Sequence, residues 1–174
     1  AIIEAAYDLQ AGSYIDYANK NISKVDNYTS ELSLIINDYL STGDNILDVG
    51  CGELTTLSFI LNKLNKNIGK IFAFDISWSR LFVGLKFSRK VLADKSIQIN
   101  PFVSDMHHIP LMDNSIAITT SSHALEPNGE SLPRILAELF RVTSKYLILF
   151  EPYYEMNSKE GKKRMDKHGY IKGL

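Results

Sequence analysis

No second cysteine accompanies Cys51, so no internal disulfide can brace the chain. A reducing compartment, the cytoplasm, is the expected setting. No apolar run approaches the roughly 20 residues that span a bilayer, and Ala1-Ile2-Ile3-Glu4 is no signal peptide. The chain also lacks a starting Met, which fits a trimmed sequence. An excess of charge of one sign is missing too: the formal net charge is -1 over 174 residues. That removes the global field by which a basic protein recruits nucleic acid or an anionic membrane. There are only four histidines and no Cys/His cluster, so no metal is expected. Repeats and low-complexity stretches are absent. What remains is an ordinary globular composition, 45% hydrophobic and 22% charged, long enough for one domain with a real core.

Apolar periodicity gives the order of elements. Residues 1–20, with Tyr7, Tyr14 and Tyr17, read as a helical lead-in. Leu32, Ile35, Ile36, Tyr39 and Leu40 recur at helical spacing, and Thr42 to Asn45 break that helix. Ile46 to Val49 then forms a short buried strand that runs into Gly50-Cys51-Gly52. Helix, strand and helix follow, with strands at Ile71 to Asp75, Ile97 to Val103, Ile116 to Thr120 and Tyr146 to Phe150. Pro101 inside the third strand points to an edge position. Ser131 is placed to cap a helix that has Pro133 in its first turn. Strands alternating with helices predict a doubly wound, mostly parallel, Rossmann-like α/β sheet. The lead-in occupies residues 1–40, the core 41–152 and a basic segment 153–174.

In such a sheet ligands bind beyond the carboxyl ends of the strands. Acids gather there: Asp48, Asp75, Asp105, Glu126 and Glu151. Gly50 and Gly52 permit a sharp turn that a ligand can approach closely, and the following helix start can meet an anionic group. A dinucleotide fingerprint would need a third glycine at position 55, where Thr55 stands. A nicotinamide dehydrogenase is therefore disfavoured, and a small ligand with a carboxylate fits better. A carboxylate such as Asp75, at the end of strand two, suits ribose hydroxyls. Asp105 and the neighbouring Met106 N–H suit an adenine edge.

Ile46-Leu47-Asp48-Val49-Gly50-Cys51-Gly52 resembles the first motif of class I S-adenosylmethionine (SAM)-dependent methyltransferases. Phe74-Asp75-Ile76-Ser77 resembles the second motif, and Ser104-Asp105-Met106 through Leu111 the third. Asp113 to Ile116, His123 to Glu126 and Glu138 to Val142 are similar to the segments around strand four and before strand five. The likeness covers residues 40–152 and favours the small-molecule branch of type 11 methyltransferases. It implies SAM as cofactor and S-adenosylhomocysteine as product. It also implies that Gly50, Cys51 and Gly52 pass under the methionine part and Asp48 holds its amino end. Asp75, with Ile76, would take the ribose, Ser104, Asp105 and Met106 the adenine, and the Ser121 backbone would reach the amino group. Leu54 departs from the family, many of whose members carry glycine there. The hairpin that usually follows strand five has no counterpart before residue 174.

Tyr14 is the candidate cofactor lid, offering a cation–π face to the sulfonium. His123, just past strand four, is the candidate general base, with Glu126 to orient it. Cys51 is expected to pack rather than react. His107 and His108 are expected to be structural or solvent-facing. The basic run Lys159 to His168 reads as a solvated face. The expected activity is methyl transfer to a small-molecule acceptor of metabolite or sugar type. The competing expectation is a non-catalytic SAM-binding regulatory or partner domain. A nucleic-acid methyltransferase is disfavoured by the charge and by Ser122-His123-Ala124-Leu125, which lacks the Asn/Asp-Pro-Pro-aromatic pattern.

Overall fold

A computed structural model describes residues 2–173. The lead-in is helical: α1 (Ile2–Leu9), α2 (Ser13–Lys20) and α3 (Ile22–Tyr39). The core follows as β1 (Ile46–Val49), α4 (Thr55–Lys63), β2 (Ile71–Asp75), α5 (Trp78–Val91), β3 (Ile99–Val103) and β4 (Ile116–Ser122). After a 3-10 turn come α6 (Leu132–Val142), β5 (Thr143–Phe150) and α7 (Lys159–His168). The strand order is β3-β2-β1-β4-β5, and every pairing is parallel.

Strand alternation explains the two-sided core. Ile46, Ile71, Ala73 and Ile118 face Leu32, Ile36, Leu57, Ile60 and Leu61 of α3 and α4. Leu47, Val49, Phe74 and Ile116 face Leu132, Ile135, Leu139 and Val142 of α6; Ile116 and Ile118 part to opposite faces at a register shift in β4 that breaks the alternation. Pro101 lies on β3, an edge strand, where a missing N–H breaks no central ladder. The outer strands are less covered than the inner ones: Val103 on β3 and Tyr146 on β5 are exposed.

The element boundaries moved in physically sensible ways. β5 begins at Thr143 rather than Tyr146, because Thr143 already pairs with Ile116 and its hydroxyl donates to the Leu139 carbonyl. β3 begins at Ile99 rather than Ile97, and β4 runs on to Ser122. Ser131 precedes α6 but makes no side-chain cap; its backbone is helical, so the hydroxyl is not turned back on the first turn. The last segment is not a loose basic run. Ser158 caps α7 by accepting from the Gly161 N–H, and Gly169 ends it at φ 65°. Met165 and Ile171 are buried, and the Ile171 N–H donates to the Glu126 carbonyl.

The strand order reverses between β1 and β4. That switch point opens a crevice at their carboxyl ends, bounded by Gly50 to Gly52 on one side and Ser121 to His123 on the other.

Candidate active site

The β1–α4 turn is built on three left-handed positions at alternate residues, Gly50 (φ 63°), Gly52 (φ 53°) and Leu54 (φ 56°). A Cβ on Gly50 would fall 2.4 Å from Ala124 Cβ and 2.6 Å from Met106 Cε; one on Gly52 would fall 2.4 Å from an Arg80 guanidinium nitrogen. Leu54 keeps the glycine-like conformation despite its side chain, which is fully buried. Burying an isobutyl group gains on the order of 2 kcal/mol, enough to offset the roughly 1–2 kcal/mol of left-handed strain. The turn therefore survives without its third glycine. The Cys51 N–H donates to the Phe74 carbonyl, and burial together with Asp48 and Asp75 pushes its thiol pKa well up. A thiol so held neutral packs and does not attack.

Asp48 and Asp75 stand on either side of this turn. The Asp48 carboxylate accepts from the Thr120 hydroxyl at 3.0 Å. Burial, reinforced by Asp75 and Glu151, pushes its pKa up to about 7. Asp75 accepts from the Gly52 N–H and from the Ser77 N–H, both at 2.9 Å. Each of its oxygens keeps a further lone pair for a hydroxyl donor. Ile76 continues from it, half-buried.

Asp105 makes the turn after β3. Its Oδ1 accepts from the His107 N–H at 2.8 Å and meets the His107 ring at 2.6 Å, which together lower its pKa. Oδ2 makes no such bond. The Ser104 hydroxyl donates to the His108 carbonyl, and the Met106 side chain reaches across to Gly50. The whole segment is pinned by Arg141. Its guanidinium donates to Glu138, Asp113 and the carbonyls of Leu111 and Ile109, at 2.7–2.8 Å. Arg141 in turn pulls the Glu138 pKa down to about 2.

At the end of β4 the Ser121 hydroxyl donates to Glu151 Oε1 at 2.7 Å, and the Ala124 and Leu125 N–H groups donate to the same oxygen. Glu151 Oε2 is buried without a partner. His123 sits at φ 56°, an uncommon conformation for a non-glycine residue, and its Nδ1 is engaged by Glu126. The His123 side chain is 58% exposed, so the rest of the ring faces outward. Tyr28 of α3 stands beside it, ring centroids 6.2 Å apart, with its hydroxyl 2.9 Å from Ser122 Oγ.

Three further residues shape the crevice. Glu53 is fully buried and accepts from the N–H groups of Gly12, Tyr14 and Ile15, so it caps α2 from the glycine turn. Asp8 of α1 accepts from the Ser77 hydroxyl at the start of α5. Arg80 lies with its guanidinium 5.2 Å from the Tyr7 ring and 4.9 Å from the Tyr14 ring. The aromatic face of Tyr14, expected over a sulfonium, is thus turned to a guanidinium. Glu53 could have been suspected from its place beside Gly52; Arg80 carried no sequence signal.

These groups fit SAM. Asp75 has spare acceptors for a ribose, Asp105 one for an adenine amino group. Asp48 and the orphaned Glu151 oxygen offer acceptors for an ammonium. Among the described residues no group of three or more His, Cys, Asp or Glu could hold a metal ion, and no helix is long and apolar enough to cross a membrane.

A methyltransferase-domain family profile matches residues 46–145. No curated protein matches the chain. Similar solved structures include a candidate methyltransferase in complex with a methyltransferase activator from Haloferax volcanii. It is 19% identical with a TM-score of 0.69, over 95% of this chain and 69% of that one. A SAM-dependent methyltransferase from Aquifex aeolicus is 24% identical with a TM-score of 0.58, over 79% and 76%. At these identities the structures speak for the fold, whereas the profile covers more than half of the sequence. The chain belongs to the class I SAM-dependent methyltransferase family.

Proposed function

We propose that this domain methylates an oxygen or nitrogen of a small-molecule acceptor of metabolite or sugar type, with His123 as the general base. The observation that carries this reading is the His123–Glu126 pair at the open end of β4. SAM, when bound, supplies a methyl group already activated on a sulfonium, so the protein's task is chiefly alignment. Glu126 engages Nδ1 and fixes the ring, leaving Nε2 free to take the acceptor's proton. The carboxylate then stabilises the imidazolium that results. Tyr28 and Ser122 hold α3 against β4 and shape the wall beside the ring. The near-neutral charge supports a small acceptor rather than a nucleic acid.

Protein incubated with methyl-labelled SAM and a panel of hydroxylated and amine-bearing metabolites should transfer label to one class of them. His123→Asn should lower kcat on that acceptor by about 100-fold while leaving SAM affinity within about twofold, as read by calorimetry. Tight SAM binding with no transfer to any acceptor would support the other reading, a SAM-binding partner domain.

A further inference from the structure

We propose that Arg80 receives the α-carboxylate of the cofactor, a role resting on the reading of Gly50 to Gly52 as the cofactor turn. Arg80 is 8% exposed, and its buried Nε has no hydrogen-bond partner. A guanidinium serving as a counter-ion normally forms forked bonds of about 2.7–2.9 Å to its carboxylate. Here the nearest carboxylate oxygens, on Asp75 and Glu53, are 3.9 and 4.0 Å away. Both carboxylates have given themselves to backbone amides instead: Asp75 to Gly52 and Ser77, Glu53 to Gly12, Tyr14 and Ile15. The donors of Arg80 are therefore unspent.

Position selects the anion. The guanidinium lies against Gly52 so closely that a Cβ there would collide with it, and this is the turn that the family resemblance places under the methionine part. Tyr7 and Tyr14 hold it there, so the lead-in helices fix a charge as well as cover a crevice. A carboxylate entering over the turn meets a preformed fork, while the ammonium of the same ligand faces Asp48 and Glu151. A buried cation without hydrogen bonds is unfavourable, and ligand binding would relieve it.

The test compares S-adenosylhomocysteine with its decarboxylated analogue by calorimetry, on wild type and Arg80→Gln. Wild type should prefer S-adenosylhomocysteine by about 10- to 100-fold, the range of a charge-assisted bond. Arg80→Gln should lose that preference and bind the decarboxylated analogue within about twofold of wild type. Equal weakening of both ligands, or no preference in wild type, would overturn the assignment and leave Arg80 a counter-ion for Asp75 and Glu53. Wild type that binds neither ligand would overturn the cofactor reading itself. Should Arg80→Gln fail to fold, the Arg80 Nε–H resonance of wild type decides. It should shift with S-adenosylhomocysteine and not with the analogue, and the same response to both would count against the proposal.

Discussion

Asp48 lies near the end of β1 among groups that oppose its charge: it is buried, and Asp75 and Glu151 lie nearby. An aspartate in the unfolded chain titrates at 3.8, against about 7 in the folded one. Between those values the folded state holds the extra proton, so stability should fall as pH rises from about 4 to about 7. The loss is on the order of 2–4 kcal/mol. Asp48→Asn should flatten that slope and raise the denaturation midpoint at pH 8, measured in urea across the range. The same residue gives a signature of cofactor binding. An ammonium placed beside Asp48 favours the carboxylate, so S-adenosylhomocysteine bound at pH 6.5 should release protons. Calorimetry in buffers of different ionisation enthalpy would detect them; no release would detach Asp48 from the amino group. Asp48 was readable because it sits inside a motif. Arg80 was not: what distinguishes it is a missing set of hydrogen bonds, and no residue spacing encodes that.

The first two lead-in helices are each fastened by a carboxylate, α1 by Asp8 on the α5 start and α2 by Glu53 at its own start. Glu53→Gln keeps the size but turns an amide toward N–H groups that need an acceptor. Amides of Gly12, Tyr14 and Ile15 should then exchange faster by about 30- to 150-fold, for the roughly 2–3 kcal/mol of charge-assisted bonding lost. Amides of β1 and β4 should hold their protection. Unchanged exchange at Gly12, Tyr14 and Ile15 would show that the aromatic contacts of Tyr7 and Tyr14 suffice to hold α2. The strands and core helices were legible at this scale because apolar runs and 3.6-residue spacing report burial directly. Their ends were less so. Thr143, Ser144 and Lys145 of β5 have no apolar pattern, and they extend because backbone pairing at Thr143 and a lattice of hydroxyl bonds carry them. The α2–Glu53 cap was invisible for a similar reason: it joins groups 38 to 41 residues apart through main-chain atoms.

The segment after β5 packs back onto the core. Ile171 is buried with Leu125, Leu132 and Ile135, and it ties the end of the chain to the loop that bears His123 and Glu126. Ile171→Ala should destabilise the fold by about 2–4 kcal/mol and shift the urea midpoint with an unchanged slope. A steeper or shallower slope would mean that the segment unfolds separately. The polar and basic letters of the last segment hid this, since among its described residues, 153–173, only Met165 and Ile171 are buried. The mode of attachment of α2 has a wider consequence. Glu53 grips the cover by main-chain N–H groups, which every residue but proline possesses. Apart from Gly12, whose φ of 103° favours glycine, and Tyr14, which packs on Arg80, the side chains of α2 can therefore change while the latch stays shut. A scaffold of this kind can drift toward new substrates one neutral step at a time, provided Glu53 itself stays in place.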